Sequence, residues 1–507
     1  MKIKKILAAV PAACLLLTVA GAMQAGAVEL STVTSGAVVE VFNRGEKDPS
    51  VTVCGSPAEA WAKANASASI EYETVITLGT DWVEDEQLVT APGKRITLDL
   101  NGHYIKRDRK HEMKRNGSVF LVSKGSIFTL RDSDPRVKGY DGVRGGVITG
   151  GASSNTGGGV HVEEDGQFRM QGGTIYDCIT DEDGGGVYLD GGSDTTRFEM
   201  TGGRIYACKT IDSADECNGG GVYLNRGTVD ISNAKIDDCY SEDDGGAIFS
   251  ERGIIKLNNV ILSGNKAREK GGAIYTAHDI AKYIATEVHA YNSIFAGNQA
   301  QEDGGAVFIN DNPDKNRAVL FHNCAFRSNS AKGNGGALHI TDDNIALSSC
   351  EIIGNTAGKY GGGVFVDGRY DITLKGLMTV KDNTSEKDGA YANLTLEKGT
   401  LGTARIINGG LYRNSCVYLG STSDSSVLVS EFMSHYQMRY FKADVGSLSQ
   451  TEFRQVNAQV VLTSSIFSDG GFLAVAILGG AGIIGTAALI VYQKKKKKAP
   501  EGGEEND

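Results

Sequence analysis

Proline is nearly absent from this chain, 7 in 507 residues, although glycine reaches 67. That balance excludes a disordered linker composition and leaves glycine as a former of tight turns, because the glycines fall at fixed positions rather than in runs. An excess of positive charge is also missing. Lys and Arg number 51 against 62 Asp and Glu, a net of −11, which speaks against nucleic acid as a partner. The nine cysteines show no metal-knuckle spacing, and neither the EF-hand loop nor the nonapeptide calcium repeat occurs. Between successive turn signals there is no room for a crossover helix.

What is present is a repeat. A paired-glycine start recurs every 26 to 35 residues, at Gly157, Gly184, Gly219, Gly245, Gly271, Gly304, Gly335, Gly361 and, degraded, Asp388. Six residues before most starts lies one slot, filled in order by Gly151, Cys178, Cys208, Cys239, Asn265, Asn298, Asn329 and Asn355; a five-residue insertion lengthens the step from Cys208 to Gly219. Three residues before each slot stands an apolar residue such as Ile175, Leu262 or Phe326. Such a period means stacked units, since one short unit cannot bury its apolar face alone. After the glycines, aliphatic positions two apart (Val187 and Leu189, Val222 and Leu224) share one face of a strand, and apolar pairs such as Phe198 with Met200 give a second strand. The isoleucine-to-slot segment gives a third. Three short strands per repeat predict an all-β, right-handed parallel β-helix, a solenoid, over 95–395, the handedness following the usual rule for parallel crossovers. A propeller blade needs four strands and about 40 residues.

The ends carry address signals. Residues 1–27 hold Lys2, Lys4 and Lys5, an apolar run and Ala25-Gly26-Ala27, the pattern of a secretory signal peptide. Residues 28–94 are expected to form an N-terminal cap, with the Ala-rich stretch 57–68 as a capping helix, because an open solenoid end exposes strand edges. Residues 396–470 are expected to be a β-rich C-terminal cap or stalk. The uncharged apolar stretch 471–492 has membrane-spanning length and is followed by Lys494 to Lys498, which predicts one transmembrane helix and a cytoplasmic tail at 493–507. The expected location is the cell membrane, single-pass, with the ectodomain outside. Eight cysteines survive signal cleavage; stacked pairs lie within disulfide reach, but small buried filler is the simpler reading.

The start Gly304-Gly305-Ala306-Val307 and the turn Phe295-Ala296-Gly297-Asn298 resemble the GGA[ILV] and FxxN repeats of polymorphic outer-membrane proteins. The resemblance covers about residues 145–395 and implies a β-helix surface protein associated with adhesion, with no catalytic motif to transfer. The chain departs from that family in having one apolar span in place of a C-terminal β-barrel translocator.

Two outward columns are the candidate ligand site. The aromatic column Tyr188, Tyr223, Phe249, Tyr275 and Phe308 is expected to form a stripe on which flat sugar faces stack, with Asp190, Asn225, Glu251 and Asn310 supplying hydrogen bonds beside it. The competing reading is that the rings are covered or mainly stiffen the sheet. Acidic turns at one corner, carrying Asp181, Asp183, Asp243 and Asp244, are a candidate calcium site, against the simpler reading of solvated turn acids. No other cofactor is implied. The expected function is a non-catalytic adhesin or glycan-binding scaffold whose partners are host or environmental glycans or surface receptors. The alternative is a membrane-tethered polysaccharide lyase or glycoside hydrolase, which needs paired carboxylates or a calcium site with a base on one outer face.

Overall fold

The structure, a computed structural model, describes residues 36–464 except 43–48, 108–111, 138, 212–216, 278–285, 311–317, 342–344, 369, 388–392, 398–404, 422–426, 432–439, 444–450 and 457–458. The expected signal peptide, apolar span and tail therefore lie outside the described residues. Among the described residues no helix is long and apolar enough to cross a membrane. The chain divides into two compact units, Met1–Ser293 and Ile294–Asp507.

The first unit is a parallel β-solenoid. One turn runs through Val187–Leu189, Arg197–Met200, Arg204–Tyr206 and Lys209–Thr210, so this turn has four strands, not the three expected, and a two-residue strand recurs from Ala152–Ser153 onward. The fourth holds only two residues after the slot, too few for alternation to show in sequence. Each strand pairs in parallel with its counterpart one turn away: Val187 opposes Val222, Phe198 opposes Val229, Ile205 opposes Ile236. Interior positions thus stack like on like, and these residues have no exposed surface. Full burial of one such side chain contributes about 1.5–3 kcal/mol, repeated at every turn. Phe128, Phe168 and Phe198 form an interior stack with centroids 5.7 and 5.2 Å apart.

The paired glycines have separate reasons. Gly184 sits at φ +72°, and a Cβ there would stand 2.7 Å from the Val187 carbonyl oxygen; Gly185 has no such φ, but its Cβ would meet the Gly220 carbonyl of the next turn at 2.5 Å. The first requires the left-handed region and the second requires close backbone approach.

The start of this unit is closed. Ala37–Val41 pairs antiparallel with both Ser50–Cys54 and Thr74–Leu78, after which Thr74–Leu78 pairs in parallel with Arg95–Asp99. Parallel stacking therefore begins ahead of residue 95. A helix, Pro57–Ser67, follows Ser56, whose hydroxyl accepts from the Glu59 amide at 3.2 Å while Glu59 accepts from the Gly55 amide at 2.9 Å. These reciprocal bonds and Pro57 in the first turn start the helix. It buries Ala60, Trp61 and Ala64, with the Trp61 ring 5.6 Å from Phe120 and 5.9 Å from Phe128.

The second unit repeats the scheme. Phe326 stacks on Phe295 at 4.6 Å, Leu338 opposes Val364, and Ile345 opposes Ile372. Parallel pairing continues past 395, through Arg405–Leu411 against Asp371–Gly376, and an antiparallel group of Val427–Glu431, Thr451–Val456 and Gln459–Ser464 follows.

The slot column explains itself in this unit. Asn329 is 1 % exposed; its Nδ2 donates to the Phe295 carbonyl at 3.0 Å and to Asn355 Oδ1 at 2.9 Å, while its own Oδ1 accepts from the amide and the Nδ2 of Asn298. Asn355 does the same toward Asn383, and Asn383 toward Asn393, whose side chain joins the ladder from a non-slot position. In the first unit Cys208 fills the slot, and its thiol reaches the Ile175 carbonyl at 3.7 Å, the contact corresponding to that of Asn329 with Phe295. The residue before each slot is in the left-handed region, including Ala207 at φ +54° and Ser328 at φ +55°. All eight described cysteines are free, and burial pushes the Cys239 thiol well above its ordinary pKa.

Candidate functional site

The aromatic column is not an open platform. In the first unit Tyr188, Tyr223, Phe249 and Tyr275 stack face to face, with centroids 5.3, 5.0 and 5.2 Å apart and planes within 11°. None is more than 9 % exposed. Parity along the strand directs these rings away from the interior, but in-register stacking at one ring per turn spends each ring face on its neighbour. The turn glycines lie against the ring stems: a Cβ on Gly184 would stand 3.0 Å from the Cβ of Tyr188. Burial pushes the Tyr188 and Tyr223 hydroxyls above their ordinary pKa. Phe308, in the second unit, is 7 % exposed and packs edge to face on His339. The rings of Tyr188, Tyr223, Phe249, Tyr275 and Phe308, expected as a stripe on which sugars stack, are thus buried and in contact with ring neighbours, the geometry of the competing reading in which they stiffen their sheet. Asp190, Asn225, Glu251 and Asn310 are only half-buried beside them, and Asp190 is turned to the Gly191 amide at 2.6 Å.

The acidic corner is a ladder as well. Asp183 accepts from the Asn218 amide at 2.8 Å, Asn218 Oδ1 from the Asp244 amide at 3.1 Å, and Asp244 from the Lys270 amide at 2.8 Å. These residues share the position just before the paired glycines, so each side chain ties one turn to the next. Asp243 accepts from the Cys217 amide at 2.7 Å and from Arg268 at 3.1 Å, while Asp181 donates its amide to the Ser153 carbonyl. The carboxylates of Asp183, Asp243 and Asp244, three of the four acids of the calcium expectation, are thus spread over backbone and arginine partners. Among the described residues no group of three His, Cys, Asp or Glu side chains is disposed to hold a metal ion. Burial pushes the carboxyls of Asp183 and Asp244 up to about 7, outweighing the amides that favour their charged form.

A different surface of the first unit forms a groove of about 630 Å³. It lies on the outer face of the long-strand sheet, where Thr228–Ser232, Gly253–Asn258 and Thr286–Tyr291 run parallel in register. Alternate residues point inward (Val229, Ile255, Val288) and are fully buried. The outward positions form rows across three turns: Asp230, Lys256 and His289 in one; Ser232, Asn258 and Tyr291 in another. Leu257, Glu287 and Asn292 line it as well. Arg197 holds Asp230 at 3.0 Å, Glu287 bonds His289, and Asn292 Nδ2 donates to Asn258 Oδ1 at 3.2 Å. Tyr291 ends its strand at 36 % exposure, its carbonyl held by the Asn259 amide at 3.0 Å and Ser293 Oγ at 2.8 Å. The corresponding outward row of the second unit reads Leu320, Ala346 and Thr373, so this charged pattern belongs to the first unit.

Sequence reading passed over Asp230, Lys256 and His289 because each sits between two core residues and looks like any solvated exterior position. The available signal was the row itself: Arg169, Glu199, Asp230, Lys256 and His289 occupy one column in five consecutive turns.

Residues 259–277 match the family model described as the Chlamydia polymorphic membrane protein (Chlamydia_PMP) repeat. The matched stretch contains the slot turn Leu262-Ser263-Gly264-Asn265 and the start Gly271-Gly272-Ala273-Ile274, so it covers less than one full turn of the solenoid. No curated protein and no solved structure matches the chain. A polymorphic-membrane-protein repeat carried on a β-solenoid is the pattern of a bacterial surface protein.

Proposed function

We propose that the chain is a bacterial cell-surface β-helix protein acting as a non-catalytic adhesin or glycan-binding scaffold. The observation that carries this reading is the groove on the long-strand sheet, where hydrogen-bonding side chains line an open concave face and the carboxylates of Asp230 and Glu287 already have cationic or imidazole partners. Pre-paired charges suit recognition, since they hold the side chains in place for a ligand. The carboxyls held near neutrality, Asp183 and Asp244, are committed to backbone amides at a different corner of the turn. Display on the cell rests on the signal-like residues 1–27 and on the apolar span 471–492 with its following lysines, which argue for a single-pass protein with the solenoid outside.

The test is attachment. Cells producing the full-length protein, and the purified full-length protein in detergent, should adhere to surfaces coated with host or environmental glycans and glycoproteins above the level of cells lacking it. Equal adherence with and without the protein would refute the adhesin reading. The second reading, a membrane-tethered polysaccharide lyase or glycoside hydrolase, draws on Asp230 and Glu287 lying in one groove with Lys256 and His289. It predicts release of reducing ends from polysaccharide by the same preparation.

A further inference from the structure

We infer that the groove face of the first unit binds the same face of a second copy of this chain, so that cells displaying the protein adhere to one another; this names one partner for the adhesin reading above and rests on it. Four paired strands carry the observation: Arg197–Met200, Thr228–Ser232, Gly253–Asn258 and Thr286–Tyr291, whose register fixes which residues stand level. One outward row reads Glu199, Asp230, Lys256, His289, and the row two residues earlier begins with Arg197 and ends with Glu287. Lys256 is exposed and makes no ion pair among the described residues, although Asp230 and His289 flank it. Thr228–Ser232 and Gly253–Asn258 are paired with neighbours on both sides, so the face offers no backbone groups to an extended peptide and recognition rests on side chains.

The order of charges in the row is self-complementary. When two copies meet face to face about a two-fold axis parallel to the strands, turn order reverses between them while positions along the strand stay level. An axis midway between Thr228–Ser232 and Gly253–Asn258 then sets Asp230 over Lys256, Glu199 over His289 and Arg197 over Glu287 of the second copy, each contact made twice, with no like charges opposed. Moving the axis onto either strand opposes Asp230 to Asp230 or Lys256 to Lys256, and moving it one strand toward Arg197–Met200 opposes Glu199 to Asp230. An axis across the strands at this row sets every residue over its own counterpart. Like charges brought together at an interface are penalised, so one arrangement survives. Four strands about 4.8 Å apart and about five residues long cover on the order of 300 Å², well below the roughly 800 Å² per partner of a stable dimer. The pairing is therefore weak between single molecules and effective between arrays of them on two surfaces, where many contacts act together.

The experiment is a charge swap read by mixing. Cells displaying the full-length protein should clump in low-salt buffer and disperse at about 0.5 M salt, where charges are screened within a few ångströms. Lys256→Asp and Asp230→Lys should each lower clumping roughly fivefold when every cell displays the same variant, because the axis then opposes like charges. Mixing the two populations under different fluorescent labels should restore clumping, in two-colour aggregates, because the reversed charge of each variant faces an opposite charge on the other. A variant that had merely lost its fold would not be rescued by its counterpart. Lys375→Asp, at an exposed outward position of the second unit, should leave clumping unchanged, and all three variants should keep the wild-type melting temperature. Lys256→Gln, which removes the charge without reversing it, should also lower clumping. Wild-type cells that stay dispersed at low salt, undiminished clumping in any of the Lys256 or Asp230 variants, or a mixture that stays dispersed would overturn the inference. If the cells do not clump but still adhere to glycan-coated surfaces, self-pairing falls and the adhesin reading stands; if they neither clump nor adhere, both fall.

Discussion

Replacing Asn329 by Leu puts the slot ladder to a quantitative test. The Asn329 side chain is sealed from solvent and makes four bonds: two from Nδ2, to the Phe295 carbonyl and to Asn355 Oδ1, and two accepted by Oδ1, from the amide and the Nδ2 of Asn298. Leucine leaves the Asn298 amide and one Nδ2 hydrogen without their acceptor, and the Phe295 carbonyl without this donor. Asn355 Oδ1 is spared, because the Asn329 backbone amide still reaches it at 2.9 Å. Each buried group left unmade costs about 1–3 kcal/mol, and the added apolar burial of leucine returns about 1–2 kcal/mol. Local relaxation recovers part of the loss, so the net expectation is a destabilisation of about 2–4 kcal/mol. Asn329→Cys should cost less, about 1–2 kcal/mol, because a thiol in this slot reaches the corresponding carbonyl in the first unit, as Cys208 does with Ile175. The assay is guanidinium denaturation of the full-length protein followed by circular dichroism, with hydrogen exchange separating the two units, since a stack of turns need not unfold in one step. An unchanged midpoint in Asn329→Leu, or equal damage from Cys and Leu, would refute the reasoning.

Asp244→Asn should remove a pH dependence. Folding raises the Asp183 and Asp244 carboxyls to about 7, above the ordinary value near 4, so the folded state holds the extra protons: their contribution is fully present below about pH 4 and is lost as pH rises toward 7. The asparagine variant, which keeps the acceptor for the Lys270 amide and matches Asn218 in the same column, should be more stable than wild type at pH 8 by on the order of 1 kcal/mol and indistinguishable at pH 4, read from melting temperatures at the two pH values. Changing Tyr223 and Tyr275 together to Ser should lower stability by about 2–4 kcal/mol, because two buried rings leave the stack, while adherence to glycan-coated surfaces stays at wild type; a stable double variant that no longer adheres would place the ligand site on this column. Gly184→Ala should destabilise by about 1–2 kcal/mol through its positive φ and the Val187 carbonyl, whereas alanine at Gly297, also at positive φ but with open space around it, should cost less; equal losses would show that sterics against the backbone add nothing. Protease treatment of intact cells should release most of the solenoid and leave residues from Lys494 onward protected, and a wholly resistant chain would contradict outside display.

Much of the solenoid was legible in the sequence because in-register stacking turns structure into columns. Val187, Val222 and Ile248 line up at a fixed distance after the paired glycines since each must fill the same interior position one turn apart, and Gly184 and Gly185 recur since no side chain fits there. The capping helix was legible from its alanines, Ala58, Ala60, Ala62 and Ala64. The slot residues were legible as a column, and Asn329 could be read as a partner for backbone groups because a buried amide needs its bonds.

Tertiary structure alone decided the rest. Strand parity says that Tyr223 faces away from the interior, but whether an outward ring is open depends on what its neighbours one turn away cover, and here they are rings at stacking distance. Asp183 and Asp244 look like solvated turn acids until the next turn brings a backbone amide within bonding distance of each carboxylate, a contact between residues 35 and 26 positions apart. The groove had the weakest trace of all. Asp230, Lys256 and His289 are separated by whole turns of chain and share a surface only because β-pairing places them side by side, and no local pattern distinguishes a concave stretch of sheet face from a flat one.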